Sequence, residues 1–115
     1  MSTRATYTFI DQRTCPTTDV CVYIHHDGYP QGAATYLRKW IEGQRTDIAS
    51  FIRINERAEI TRESAHGDTE YHYTIHRREC GDWEIEAYHR PIGEDDFKIF
   101  IQDKKLAKFI EEQAA

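Results

Sequence analysis

Apolar and polar side chains alternate along "ATYTFID", with Ala5, Tyr7 and Phe9 on one side and threonines on the other, the pattern of a half-buried strand. "VCVYIHH" repeats the two-residue period: Val20, Val22 and Ile24 share one face, and Cys21, Tyr23 and His25 the other. Between them "RTCPTTD" has turn chemistry around Pro16, so an antiparallel hairpin is the simplest connection. The period then lengthens to about 3.6 residues. From Pro30 to Glu42, Ala33, Ala34, Leu37, Trp40 and Ile41 form one stripe of a helix, and Gly43 is expected in the left-handed position behind it. "TDIASFIRINERAE" predicts a second helix with Asp47 or Thr46 as N-cap and Ile48, Phe51, Ile52 and Asn55 on one side. "TRESAHGD" is expected to be a polar loop.

Residues 70–90 show the clearest hairpin. Tyr71, Tyr73 and Ile75 alternate in its first half, and Trp83, Ile85 and Ala87 in its second. The two apolar sets share a face only if Ile75 lies opposite Ile85. That register leaves Glu79, Cys80 and Gly81 as a three-residue loop, which commonly wants its last residue left-handed. "DFKIFIQ" predicts a fifth strand with Phe97, Ile99 and Ile101 aligned, Ile99 and Ile101 being core positions. A terminal helix is expected after an Asp103 cap, with Leu106, Phe109 and Ile110 inward. The order ββααβββα predicts one α+β domain over 1–115: an antiparallel sheet of about five strands with its helices packed on one face.

Composition narrows the function classes. No run approaches the roughly 18 apolar residues of a membrane span, and "MSTRATYTFI" lacks the apolar core of a signal peptide. Three cysteines without a CxxC pair suit reduced thiols better than a disulfide framework, so a cytoplasmic location is expected. The net charge of -5 argues against direct nucleic-acid binding, which draws its affinity from basic contacts to phosphate.

The least ordinary stretch is "YIHHDGYPQGAATYL". Asp27-Gly28 is a strong turn pair, Gly28 being expected to supply a positive φ and the Asp27 side chain, or Tyr29, to stand near the first amides of the helix. Pro30 suits the first helical position, where its missing N–H costs nothing. A turn needs none of His25, His26 and Tyr29. His25, His26, Asp27 and Tyr29 are therefore the candidate binding residues, as a polar rim beside a helix start.

A metal triad does not follow, because adjacent strand residues point to opposite faces. His72 and His76 share a face, but on a strand they stand about 13 Å apart, too far for one ion. His76 opposite Glu84 and Thr74 opposite Glu86 predict a solvated face. The thiols have no readable base beside them, and no phosphate loop or dinucleotide fingerprint is present. No catalytic residue, cofactor or metal is expected.

Taken together, His25 to Gly32, Gly67 to Tyr73 and the terminal "LAKFIEEQ" resemble small proteins common in phages, prophages and other mobile elements. Those proteins carry a strand ending in an (H/W)-D-G-Y-P-x-G corner and a later GD-x-E-Y-x-Y strand. The resemblance supplies no activity and no catalytic residues. What it implies is an accessory protein of the kind that inhibits host antiviral defence, with a host defence protein, a Cas subunit among the choices, as partner.

The expectation is a non-catalytic, stoichiometric inhibitor that is anti-CRISPR-like. The alternatives are a nucleotide or small-ligand module built on the HHDGYP corner, and an enzyme whose site assembles across the fold. A homodimer would form on an exposed edge strand, the first or the fifth.

Overall fold

In the computed structural model the described residues are 3–12, 18–43, 48–55, 58–62, 68–91 and 93–113. The expected Pro16 turn, the caps at Thr46 and Asp47, and His66 lie outside them. The chain runs β1 (Ala5–Asp11), β2 (Thr18–Ile24), α1 (Pro30–Glu42), α2 (Ile48–Ile54), β3 (Glu59–Thr61), β4 (Tyr71–Arg77), β5 (Trp83–His89), β6 (Lys98–Lys105) and α3 (Leu106–Gln113). It forms a single α+β domain with one six-stranded sheet in the order β3-β2-β1-β4-β5-β6.

Two features correct the sequence reading. The sheet is mixed and not antiparallel, since β1 pairs parallel to β4 while every other neighbour is antiparallel. The cause lies in the order of contacts: the β1–β2 hairpin leaves the other edge of β1 open. The chain returns to that edge only after two helices, a crossover long enough to bring β4 in parallel. The second feature is β3, a three-residue strand that pairs with β2 where the pattern predicted helix end and loop.

The hairpin register is as expected. Ile75 pairs with Ile85, Thr74 with Glu86 and His76 with Glu84. The Arg78 N–H donates to the Asp82 carbonyl at 2.8 Å, enclosing Glu79, Cys80 and Gly81, and Gly81 has φ 96°. Inward positions of four strands meet all three helices in one cluster: Tyr7 and Phe9, Val22 and Ile24, Tyr73 and Ile75, Ile85 and Ala87, with Leu37, Trp40, Phe51, Leu106 and Phe109. Trp40 stands edge-on to Phe9, Phe51 and Trp83 at 4.9–5.9 Å between ring centroids, the geometry that aromatic quadrupoles favour.

The remaining corrections concern element ends. Ile99 was expected in the core and is 44% exposed. β6 slips register twice against β5, so Ile101 lies opposite the inward Ala87 while Ile99 lies opposite the outward Tyr88. Asp103 is not a helix cap. It sits inside β6 with φ 51°, and the pairing of Lys104 and Lys105 with β5 keeps the chain extended until Leu106. Gly43 has φ -70°, so α1 ends in a right-handed turn closed by the Gly43 N–H on the Lys39 carbonyl.

Candidate functional site

β2 ends at Ile24, and six residues later α1 begins with Pro30 in its first turn, as the sequence requires. The left-handed residue of the corner is Asp27, with φ 54°, and not Gly28. Asp is among the few side chains that tolerate this region. Gly28 is needed for a different reason: a β-carbon there would stand 2.6 Å from the Ala5 Cβ. Its N–H donates to the Thr3 carbonyl at 2.9 Å, lashing the corner to the chain entering β1. Gly32 meets a harder limit, since its β-carbon would fall 1.9 Å from the Asp27 carbonyl oxygen. Both glycines are demanded by backbone approach.

Hydroxyls of core tyrosines fix the corner from beneath. Tyr73 donates to the Gly28 carbonyl at 2.7 Å, and Tyr36 donates to the His26 carbonyl at 3.0 Å. Burial pushes the Tyr73 phenol far above its ordinary range, with Tyr7, Tyr71 and Glu70 adding, so it remains a donor at every physiological pH. Tyr7 stacks on Tyr73 at 5.2 Å, and its own hydroxyl is buried without a hydrogen-bond partner among the described residues. Burial, then Tyr36 and Asp27, raise its pKa as well.

The corner's side chains divide. Tyr29 is the N-cap residue of α1, its carbonyl accepting the Ala33 N–H, and no side chain caps the helix. The expected Asp27 cap is therefore absent. Instead the Tyr29 hydroxyl donates to the Asp27 carboxylate at 3.4 Å, and Tyr29 is 40% exposed. His25 belongs elsewhere: its ring lies edge-on to Tyr23 at 4.4 Å and its Nε2 is 3.4 Å from Glu59 of β3. His26 contributes its carbonyl to Tyr36, and its side chain is half-buried. Of the four candidates, Asp27 and Tyr29 come together, and His25 faces the neighbouring strand.

The helix-free face of the sheet carries His72 and His76. One cross-strand row runs Glu59, Tyr23, Thr6, His72, Tyr88 and Ile99. His72 Nδ1 lies 2.8 Å from the Thr6 hydroxyl and its ring stacks on Tyr88 at 5.7 Å. Burial holds its pKa below the usual imidazole value. The face expected to be solvated is half-covered: Glu84 accepts two bonds from Arg78, and Glu86 accepts the Tyr88 hydroxyl. Among the described residues no three of the His, Cys, Asp and Glu side chains are grouped so as to hold a metal ion.

A concavity of about 370 Å³ opens beside the corner, on the far side of Pro30. Tyr71, His89 and Phe100 supply its rings, and Lys98 and Glu94 its charges. Sequence reasoning passed over it, because its walls come from α1, β4, β5, β6 and the loop after β5. Its one signal was the run Ile99, Phe100, Ile101, which puts a large apolar side chain where a two-residue period wants a polar one. Phe100 is 46% exposed.

Among the described residues no helix is long and apolar enough to cross a membrane. Comparison of the chain with family models, with curated proteins and with solved structures gives no match.

Proposed function

We propose that this chain is a small non-catalytic binding protein that inhibits its target stoichiometrically, by covering a surface of it. The observation that carries this reading is Tyr29, an aromatic side chain left 40% exposed on a corner whose backbone is held by four hydrogen bonds, at the His26, Gly28 and Tyr29 carbonyls and the Gly28 N–H. Tyrosine is enriched among the side chains that dominate protein interfaces, since it brings large contact area for little lost conformational freedom. A rigid base under it lowers the ordering cost of association further. The Asp27 carboxylate, which accepts its hydroxyl, gives the anchor a polar edge. The phage-like corner motif supplies the setting: a host antiviral defence protein, Cas subunits included, is the partner class. The acidic net charge of -5 suits a protein partner better than direct contact with nucleic acid.

Affinity capture with tagged protein from phage-infected or plasmid-challenged cells, followed by mass spectrometry, tests this. A defence protein retained in a fixed ratio by the wild type and lost with Tyr29→Ala is the expected result. Inhibition of the target at a small fraction of its concentration would show turnover and reject the reading.

The second reading, a small-ligand module, finds its cavity beside Pro30 and not at the corner residues expected for it, since none of His25, His26, Asp27 and Tyr29 lines that concavity.

A further inference from the structure

The concavity beside Pro30 is built differently from the corner and makes a separate case. Two of its three rings are held from behind. Tyr71 stacks on buried Tyr73 at 6.1 Å with 8° between the planes, and Tyr73 in turn stacks on Tyr7. His89 stacks on Tyr71 at 4.5 Å and 27°, and its Nε2 is fixed 3.1 Å from the Glu70 carboxylate. Phe100 closes the third side, edge-on to Tyr71 at 6.1 Å and 70°. Pro30 adds an apolar wall, and about 370 Å³ lies between these groups. That is room for one planar ring with a short substituent, at the small end of the range for ligand sites.

The mouth carries two opposite charges, the Lys98 ammonium and the Glu94 carboxylate. Neither enters an ion pair among the described residues. The other basic side chains of the β6 edge are engaged: Lys104 holds Glu112 and Lys105 holds Asp82, each at 2.8 Å. Two solvated charges on a loop and a strand end would be ordinary by themselves. Here they flank an aromatic well whose outermost ring, Phe100, is 46% exposed.

We infer that this concavity is a binding site for a free aromatic α-amino acid, its ring against Tyr71, His89 and Phe100, its carboxylate on Lys98 and its ammonium on Glu94. Charge complementarity selects this class over a nucleotide. A phosphate would meet one lysine and stand near both Glu94 and Glu70, whereas a zwitterion leaves neither rim charge unanswered. It also selects a free amino acid over an aromatic side chain within a polypeptide, which has neither the ammonium nor the carboxylate.

Titration of the ¹⁵N-labelled full chain with L-phenylalanine, L-tyrosine and L-tryptophan, read by amide chemical shifts, tests the inference. At least one is expected to saturate with shifts centred on residues 71, 89 and 98–100. N-acetyl-L-phenylalanine, which lacks the ammonium, and L-phenylalaninamide, which lacks the carboxylate, should each bind more weakly, by up to roughly fivefold, the range for ion pairs at an exposed rim. Lys98→Met should erase the penalty of the amide, and Glu94→Gln that of the acetyl group. Both positions are exposed, so the variants should melt as the wild type does. No saturable shift at millimolar amino acid would overturn the proposal, as would capped probes binding as well as free ones. Tighter binding of guanosine or adenosine monophosphate would overturn it in favour of a nucleotide site. None of these outcomes depends on whether Tyr29 holds a protein partner.

Discussion

The Tyr73 hydroxyl, projecting from the central strand β4, donates a 2.7 Å hydrogen bond to the carbonyl of Gly28 in the corner 45 residues earlier. A buried carbonyl that loses its donor keeps the full cost of its lost hydration, about 1–3 kcal/mol. Tyr73→Phe is therefore expected to destabilise by that amount while its ring still packs on Tyr7. Tyr36→Phe removes the bond to the half-buried His26 carbonyl and should cost less, since water can replace part of it. Urea denaturation of the two variants checks the order. Equal small effects would mean that the hydroxyls do not hold the corner.

The glycines separate steric demand from conformational demand. Gly32→Ala forces a β-carbon against the Asp27 carbonyl, so the corner must move off the helix; a loss of about 3 kcal/mol or more is expected. Gly28→Ala meets Ala5 and should cost about 1–3 kcal/mol. At Gly81 a β-carbon meets nothing within 4 Å, yet φ is 96°, so Gly81→Ala should cost about 1 kcal/mol from backbone strain alone. Asp27→Gly keeps the left-handed residue and breaks no cap, and is expected to melt within a few degrees of wild type. A fall as large as that of Gly32→Ala would show that the Asp27 carboxylate supports the corner.

How far the sequence could be read follows from which interactions are local. Ile75 opposite Ile85 and the left-handed Gly81 were legible because a hairpin encodes its own register in alternation and turn residues. The corner's position was legible from Asp27, Gly28 and Pro30, but the cause was not. Gly28 answers to Ala5, some twenty residues away, and no local pattern records that contact. The parallel partnership of β1 and β4 was hidden for the same reason. Ile99 misled because a strand's period of two holds only while no residue is inserted, and β6 inserts residues twice. Tyr71, His89, Phe100 and Lys98 meet only after β4, β5 and β6 have paired.

His72 supplies a pH dependence with a definite sign. Burial lowers its folded-state pKa below the unfolded value of about 6.5. The unfolded chain thus binds more protons between the two values, and stability rises with pH there. The contribution is fully present above about pH 6.5 and is lost as the pH falls toward the folded-state pKa. Wild type should lose more stability than His72→Gln between pH 7.5 and pH 5, by at most about 1.4 kcal/mol per pH unit. Parallel curves for the two proteins would show that the imidazole is as readily protonated in the fold as in the open chain.

Tyr29 and His26 decide whether the corner is more than a corner. Tyr29 is exposed and caps nothing with its side chain, and His26 holds Tyr36 through its carbonyl, which a substitution leaves in place. The double variant His26→Ala/Tyr29→Ala keeps the backbone bonds of the corner and should therefore unfold within about 1 kcal/mol of wild type, about 0.5 kcal/mol for each side chain outside the core. If the corner carries the partner interface, the same variant should bind its captured partner at least tenfold more weakly, since truncating an aromatic anchor commonly costs about 2 kcal/mol or more. Tyr73→Phe provides the contrast, because it leaves the displayed side chains intact and loosens only their support. Its binding loss should be smaller than that of the double variant and should track its loss of stability. Wild-type affinity in a stable double variant would remove the corner from the interface and leave Asp27, Gly28 and Gly32 with a purely architectural role.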